Sequence, residues 1–227
     1  GMDSISQTFV CPTFDSRVVP VIVISHPQQA VPLAHALLEG GIDVMEITLR
    51  HEAGLRAIEE VAKHVPHMQV GAGTVTHPAE MARVQSAGAR FALSPGLNDT
   101  LVQAALDCSL PYMPGVLTPS EVMAARNHGF RLVKLFPASM GGLDLLQALA
   151  GPLGDMRFCP TGGVNLNNLV DFLKRPNVSM VGGSWITPLD AIEQGRWTDI
   201  TDWARTATQA AQKVPLPKPS SSVAASR

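Results

Sequence analysis

The sequence predicts an α/β protein, a (β/α)8 TIM barrel, and three observations carry that expectation. Eight short runs of β-branched and apolar residues alternate with longer segments of helical periodicity. The repeat is about 20 to 25 residues, enough for one strand, turn and helix, and that many units close into a barrel. Hydrophobic residues make up 45% of the 227 and charged residues only 16%, so the whole length can bury one large core. An open doubly wound sheet is the competing architecture, but no Gly-x-Gly-x-x-Gly follows the first strand. We expect one barrel domain over residues 1–214 and a flexible tail over 215–227, where Pro215, Pro217 and Pro219 break any helix.

Residues 5–14 have weak helical spacing and are expected as an N-terminal helix plugging the bottom of the barrel. The first strand is expected over 18–24, a Val/Ile run whose stiff side chains favour extended backbone. A helical pattern then runs to Gly40-Gly41, a pair suited to the left-handed backbone of a helix stop. Strands follow over 44–49 and 69–74, the latter built around Gly71, Ala72 and Gly73. The fourth, 91–94, comes after a helical stretch stopped at Gly88, and Asn98 and Asp99 ahead of Leu101 mark the next helix start. The fifth strand, 112–116, leads into Pro119-Ser120-Glu121, another start signal, and that helix stops at Gly129. Strands over 132–136, 157–161 and 179–183 complete the set, with a helix between the last two expected to begin at Asn165.

A formal net charge of -2 without a long basic run argues against nucleic acid or an anionic membrane as partner. No apolar run approaches the roughly 20 residues of a membrane span. Residues 1–4 show no basic segment leading into an apolar one, so no signal peptide is expected. Cys11, Cys108 and Cys159 are odd in number at spacings unlike zinc or redox motifs, which fits reduced thiols in a cytoplasmic protein. The histidines are scattered, and His51-Glu52 lacks the second histidine of the helical zinc motif, so no metal site is expected.

In a barrel, alternate side chains point into the lumen or out to the helices, and chemistry gathers where strands end. Met45, Ile47 and Leu49 share one face of their strand, while Glu46, Thr48 and Arg50 share the other and are expected to face inward. Charge buried without partners costs several kcal/mol, so the acid and base either pair to fix packing or serve chemistry. Lys134 stands mid-strand among Leu132, Val133, Leu135 and Phe136. Desolvation favours the neutral amine, a nucleophile toward carbonyls; the other reading is a lysine at a strand end snorkelling to solvent. Gly162 and Gly163 after strand seven, and Gly183 with Ser184 after strand eight, fall where barrel loops offer backbone N–H groups to phosphate. Paired glycines also serve plain tight turns. Thr74 and the Ser94-Pro95-Gly96 run, at the ends of strands three and four, are pocket walls or ordinary turns.

Taken in order, six segments carry a resemblance: Met45-Glu46-Ile47-Thr48-Leu49-Arg50, Gly71-Ala72-Gly73-Thr74-Val75, Ser94-Pro95-Gly96, Val133-Lys134-Leu135-Phe136-Pro137-Ala138, Phe158-Cys159-Pro160-Thr161-Gly162-Gly163 and Gly182-Gly183-Ser184-Trp185. Together they resemble the 2-keto-3-deoxy-6-phosphogluconate (KDPG) aldolase family, also named 4-hydroxy-2-oxoglutarate (KHG) aldolase, from about Val18 to Trp203. The resemblance implies a barrel assembled as a homotrimer, and a class I aldolase with no metal and no cofactor beyond a covalent Schiff base on Lys134. It implies Glu46 as general acid/base, and Arg50, Thr74 and Thr161 as holders of the pyruvate carboxylate end and adjacent oxygens. Pro95 and Phe136 match apolar walls around the lysine, and Gly162, Gly163, Gly183 and Ser184 match a phosphate cradle. The implied reaction cleaves KDPG to pyruvate and glyceraldehyde 3-phosphate, with KHG and the galactonate epimer of KDPG as further candidate substrates. His51 and Ser139 depart from the family pattern, where a small polar residue often follows the arginine and an acid often follows Phe-Pro-Ala. Two other functions fit part of the pattern. A phosphosugar isomerase or epimerase would use Glu46 as base but leaves Lys134 unexplained, and a non-catalytic sensor would bind a phosphorylated keto acid without releasing pyruvate.

Overall fold

Residues 9–217 are described by the computed structural model. Its sheet is parallel throughout and built around β1 (Val18–Ile22), which pairs with β2 (Val44–Thr48) on one side and β9 (Val181–Gly183) on the other. Beyond β2 come β3 (Gln69–Gly73), β4 (Ala92–Leu93) and β5 (Tyr112–Met113). A second run joins β6 (Gly115–Val116), β7 (Leu132–Leu135) and β8 (Arg157–Pro160). β5 and β6 are one stave interrupted at Pro114, which has no N–H to give a ladder, although its carbonyl still accepts the Lys134 N–H at 2.9 Å. Parallel bridges Phe158↔Val178 and Thr161↔Gly182 connect β8 to the β9 stave, and the ring closes.

The helices wrap this ring as α1 (Ala30–Glu39), α2 (Ala53–His64), α3 (Pro78–Ser86), α4 (Asp99–Cys108), α5 (Pro119–Asn127), α6 (Gly142–Ala150), α7 (Leu169–Leu173), α8 (Leu189–Glu193) and α9 (Trp197–Gln212). The start and stop signals act largely as the sequence indicates. Asn98 Oδ1 accepts the Leu101 N–H at 2.9 Å, and Thr118 and Glu121 cap α5 reciprocally. Gly41, Gly88 and Gly129 follow α1, α3 and α5 at φ of 92°, 100° and 103°, a region where a Cβ would clash with its own backbone. The helix expected from Asn165 begins only at Leu169. The Asn165 N–H goes to Asn168 Oδ1 at 2.8 Å and the Asn167 N–H to Asn165 Oδ1 at 2.9 Å, so the asparagines close a turn instead.

The N-terminal helix is a correction. Residues 9–14, the described part of that span, are non-helical, and residues 5–8 lie outside the described part. Pro12 lacks an amide donor and biases Cys11 away from helical backbone. Two aromatic anchors then fix an irregular path: Phe9 stacks on Phe130 with centroids 3.8 Å apart, and Phe14 packs on Phe91 at 4.8 Å. Their partners Phe91 and Phe130 are buried just ahead of β4 and β7, and Phe130 meets the edge of Tyr112, the first residue of β5, at 5.7 Å. The Phe91 ring occupies the space a side chain on Gly71 would need. Of the tail expected over 215–227, residues 218–227 lie outside the described part. Among the described residues no helix is long and apolar enough to cross a membrane.

Candidate active site

β2 is buried along its whole length. Met45 and Ile47 turn outward to the helices, and Glu46 goes inward, as the alternation of side chains requires. The register neighbours of Glu46 are Val21 and Gly71, and those of Lys134 are Gly115 and Cys159. β2 and β7 therefore do not pair; they lie on opposite sides of the ring, and only the lumen joins them. There Lys134 Nζ stands 3.5 Å from Glu46 Oε2, with the two side chains 6% and 1% exposed. That separation exceeds the roughly 2.7–2.9 Å of a charge-assisted hydrogen bond. Glu46 Oε2 is buried without a hydrogen-bond partner, a condition that ordinarily costs about 1–3 kcal/mol. A free acceptor held beside an amine is placed to move protons at whatever becomes bonded to Nζ.

Small residues make room for this pair and its neighbours. The Glu46 carboxylate fills the place a Cβ on Gly73 would take, and a Cβ on Gly182 would stand 2.6 Å from Thr161 Oγ1. Thr161 is 5% exposed, and its hydroxyl lies 3.3 Å from the Cys159 carbonyl. Phe136 sits at the lip, its ring centroid 5.2 Å from Lys134 Nζ. Cys159, whose role was not legible in the sequence, is the strand neighbour of Lys134. Burial, and then the negative charge of Glu46, push its thiol up to about 12 against the opposing pull of Lys134, so at neutral pH it is an uncharged wall. Only the β7–β8 register reveals that placement.

Arg50 lies two residues beyond the end of its strand. β2 ends at Thr48, and α2 packs so tightly on that end that a Cβ on Gly54 would lie 2.5 Å from the Thr48 carbonyl. The chain turns there, the alternation stops, and Arg50 is exposed at the C-terminal rim. The expected alternative of an internal Glu46–Arg50 ion pair is not formed; Glu46 faces Lys134 instead. Thr48 is buried and its hydroxyl is satisfied, donating to the Ile22 carbonyl at 3.0 Å. His51 lies in the same exposed turn as Arg50, and Ser139 is exposed against Gly163.

The remaining residues gather at the C-terminal ends of the strands. Thr74 is half-buried with φ of 57°, left-handed backbone that for a β-branched residue costs on the order of 1–3 kcal/mol. Pro95 is half-buried at the end of the β4 stave, and its carbonyl fills the space a Cβ on Gly115 would need. Gly162 and Gly163 take φ of 98° and 76°, and the Thr161↔Gly182 bridge lays their loop beside Gly183 and Ser184. The carbonyls of Thr161 and Gly163 are engaged by the Ala138 N–H at 2.8 Å and Asn168 Nδ2 at 2.9 Å. Among the described residues no group of three or more His, Cys, Asp or Glu side chains is arranged to hold a metal ion.

The family model for KDPG and KHG aldolase matches residues 13–203. The 2-dehydro-3-deoxy-phosphogluconate aldolase of Dickeya dadantii (strain 3937) is 50% identical over 195 residues, 86% of this chain and 92% of the relative. The KHG/KDPG aldolase of Escherichia coli (strain K12) is 47% identical over 196 residues, covering 86% and 92%. The solved KDPG aldolase of Legionella pneumophila holds pyruvate captured at low pH as a covalent carbinolamine intermediate. It matches with a TM-score of 0.83 at 42% identity, over 85% of this chain and 94% of that one. The matched span runs through the lysine, the acid and the glycine loops, and the chain belongs to the KDPG and KHG aldolase family, a family of lyases.

Proposed function

We propose that this protein is a class I aldolase that cleaves KDPG to pyruvate and glyceraldehyde 3-phosphate through a Schiff base on Lys134. The observation that carries the reading is the lumen pair, an amine 3.5 Å from a buried carboxylate oxygen with no other partner. Lys134, as the free amine, attacks the C2 ketone, and the carbinolamine loses water to an iminium. Glu46 takes the C4 hydroxyl proton, the C3–C4 bond breaks, and its electron pair enters the iminium to give an enamine. Protonation at C3 and hydrolysis then release pyruvate and restore the amine. The cycle needs neither a metal nor a cofactor. The carbinolamine held by the Legionella pneumophila enzyme supports the first covalent step.

In this reading Arg50, at the rim, pairs with the substrate carboxylate, and Thr74 and Thr161 hold that end and the adjacent oxygens. Pro95 and Phe136 wall the lysine, and the loops of Gly162, Gly163, Gly183 and Ser184 cradle the phosphate with backbone N–H groups. The two names carried by the relatives support KHG cleavage to pyruvate and glyoxylate as a second activity. A lactate dehydrogenase-coupled assay on KDPG, its galactonate epimer and KHG checks the assignment. The highest kcat/KM is expected on KDPG. A preference for either of the others, or saturable binding without pyruvate release, overturns it.

We also place the protein in the cytoplasm, a reading supported by three unpaired cysteines, and assign it as a homotrimer. Light scattering behind size exclusion is expected to give three times the chain mass, and a monomer mass rejects the trimer.

A further inference from the structure

Thr74 keeps its left-handed backbone between two clamped peptides. On one side the Gly73 carbonyl accepts the Leu49 N–H at 3.0 Å; on the other the Val75 N–H donates to the Leu93 carbonyl at 3.1 Å. A third restraint comes from side chains. The Ser94 hydroxyl donates to the Val75 carbonyl, and the Tyr112 phenol donates to Ser94 Oγ at 2.8 Å. Ser94 is fully buried and Tyr112 is 1% exposed, so neither bond competes with solvent. Burial holds the phenol at about 12, which keeps it a donor across neutral pH. The chain of donors is therefore directional, running from Tyr112 through Ser94 to the carbonyl of Val75, the residue after Thr74. The peptide before Thr74 belongs to Gly73, whose missing side chain makes room for the Glu46 carboxylate.

We infer that Ser94 and Tyr112 are positioning residues that hold Thr74 in the conformation that binds the keto-acid end of the substrate, an inference resting on the role proposed above for Thr74. Without the Ser94 hydroxyl the Val75 carbonyl loses its buried donor, and the strained turn can relax toward ordinary backbone. The substrate carboxylate end then loses its register with Lys134. Tyr112 acts one step further back, by fixing which way the Ser94 hydroxyl points.

The test is a double-mutant cycle in pyruvate release from KDPG, run alongside thermal unfolding of each variant. Ser94→Ala is expected to lower kcat/KM by about tenfold, mainly through KM, and Tyr112→Phe by about threefold. In a Thr74→Ala background, Ser94→Ala is expected to change kcat/KM by less than about twofold while still lowering the unfolding midpoint. A merely structural role would move stability alike in both backgrounds and leave no such coupling in kcat/KM. Losses that multiply in full, or single variants within about twofold of the unaltered enzyme, overturn the inference. If Ser94→Ala fails to fold, Tyr112→Phe, which deletes one oxygen atom, is put through the same cycle and decides it by the same criteria. Failure of the aldolase reading shows separately, as no pyruvate release and no borohydride-trapped pyruvate on Lys134 in the unaltered protein.

Discussion

Incubation with pyruvate and borohydride is expected to add the mass of a reduced pyruvyl group to the peptide containing Lys134, and to no other lysine peptide. The reason lies in where the lysines sit. Lys63, Lys174 and Lys213 are exposed on helices or just past them, each hydrated, whereas Lys134 lies in the lumen at 5% exposure. Among the described lysines only Lys134 can form an imine away from bulk water and next to a carboxylate able to assist dehydration. Lys134→Arg keeps a cation opposite Glu46 but cannot form an imine, so turnover should fall by at least ~10⁴-fold, because the covalent intermediate is lost outright rather than weakened. Overpacking in the lumen adds a stability loss of about 1–3 kcal/mol. Lys134→Met fits the volume better but leaves Glu46 without its buried partner, and it is expected to be the less stable variant, by about 3–5 kcal/mol relative to the unaltered chain. Intact-protein and peptide mass spectrometry read the label, and denaturant unfolding reads the stabilities. A label on any other lysine, or turnover in Lys134→Arg within about 10²-fold of the unaltered enzyme, removes Lys134 from the mechanism.

Lys134 and Glu46 were visible in the sequence because an ionisable side chain inside a β-branched run is an anomaly that burial makes expensive. Their partnership was not visible. They are far apart in sequence and on strands that do not pair, so the 3.5 Å approach exists only once the ring has closed. Arg50 marks the limit of the pattern. Period-two alternation assigns it a face only while the strand lasts, and the strand end is fixed by how tightly Gly54 of α2 packs on Thr48. Local pattern carries no trace of that contact. Cys159 reads as a plain thiol because its significance is a register property, and Ser94 reads as a pocket wall or a turn residue because serine before Pro-Gly is also ordinary turn chemistry. The N-terminal helix failed for a tertiary reason, since Phe9 and Phe14 gain more from two separate aromatic partners than a short helix gains from its own hydrogen bonds. The glycine stops at Gly41, Gly88 and Gly129, by contrast, depend on one residue's backbone and read correctly.

Glu46→Gln is expected to abolish most turnover while leaving pyruvate able to bind and be trapped. The amide matches the carboxylate in shape, so the space left by Gly73 still accommodates it and the lumen stays packed. What changes is proton chemistry: an amide cannot accept the C4 hydroxyl proton, so carbon–carbon cleavage stalls, while slower dehydration of the carbinolamine still supplies iminium for borohydride over a long incubation. Loss of one general acid/base of this kind costs about 10²–10⁴-fold, and it should fall on kcat, since Glu46 is not among the groups assigned to hold the substrate. The geometry sharpens the expectation, because Oε2 makes no hydrogen bond and faces the Lys134 amine at 3.5 Å, where the covalent intermediate forms. The measurement pairs coupled pyruvate-release kinetics with the yield of borohydride-trapped pyruvyl adduct. A low kcat with retained trapping fits proton transfer by Glu46 during carbon–carbon cleavage. Near-normal kcat would show that the carboxylate only balances the charge of Lys134, and the proton would then have to be carried by another group in the lumen.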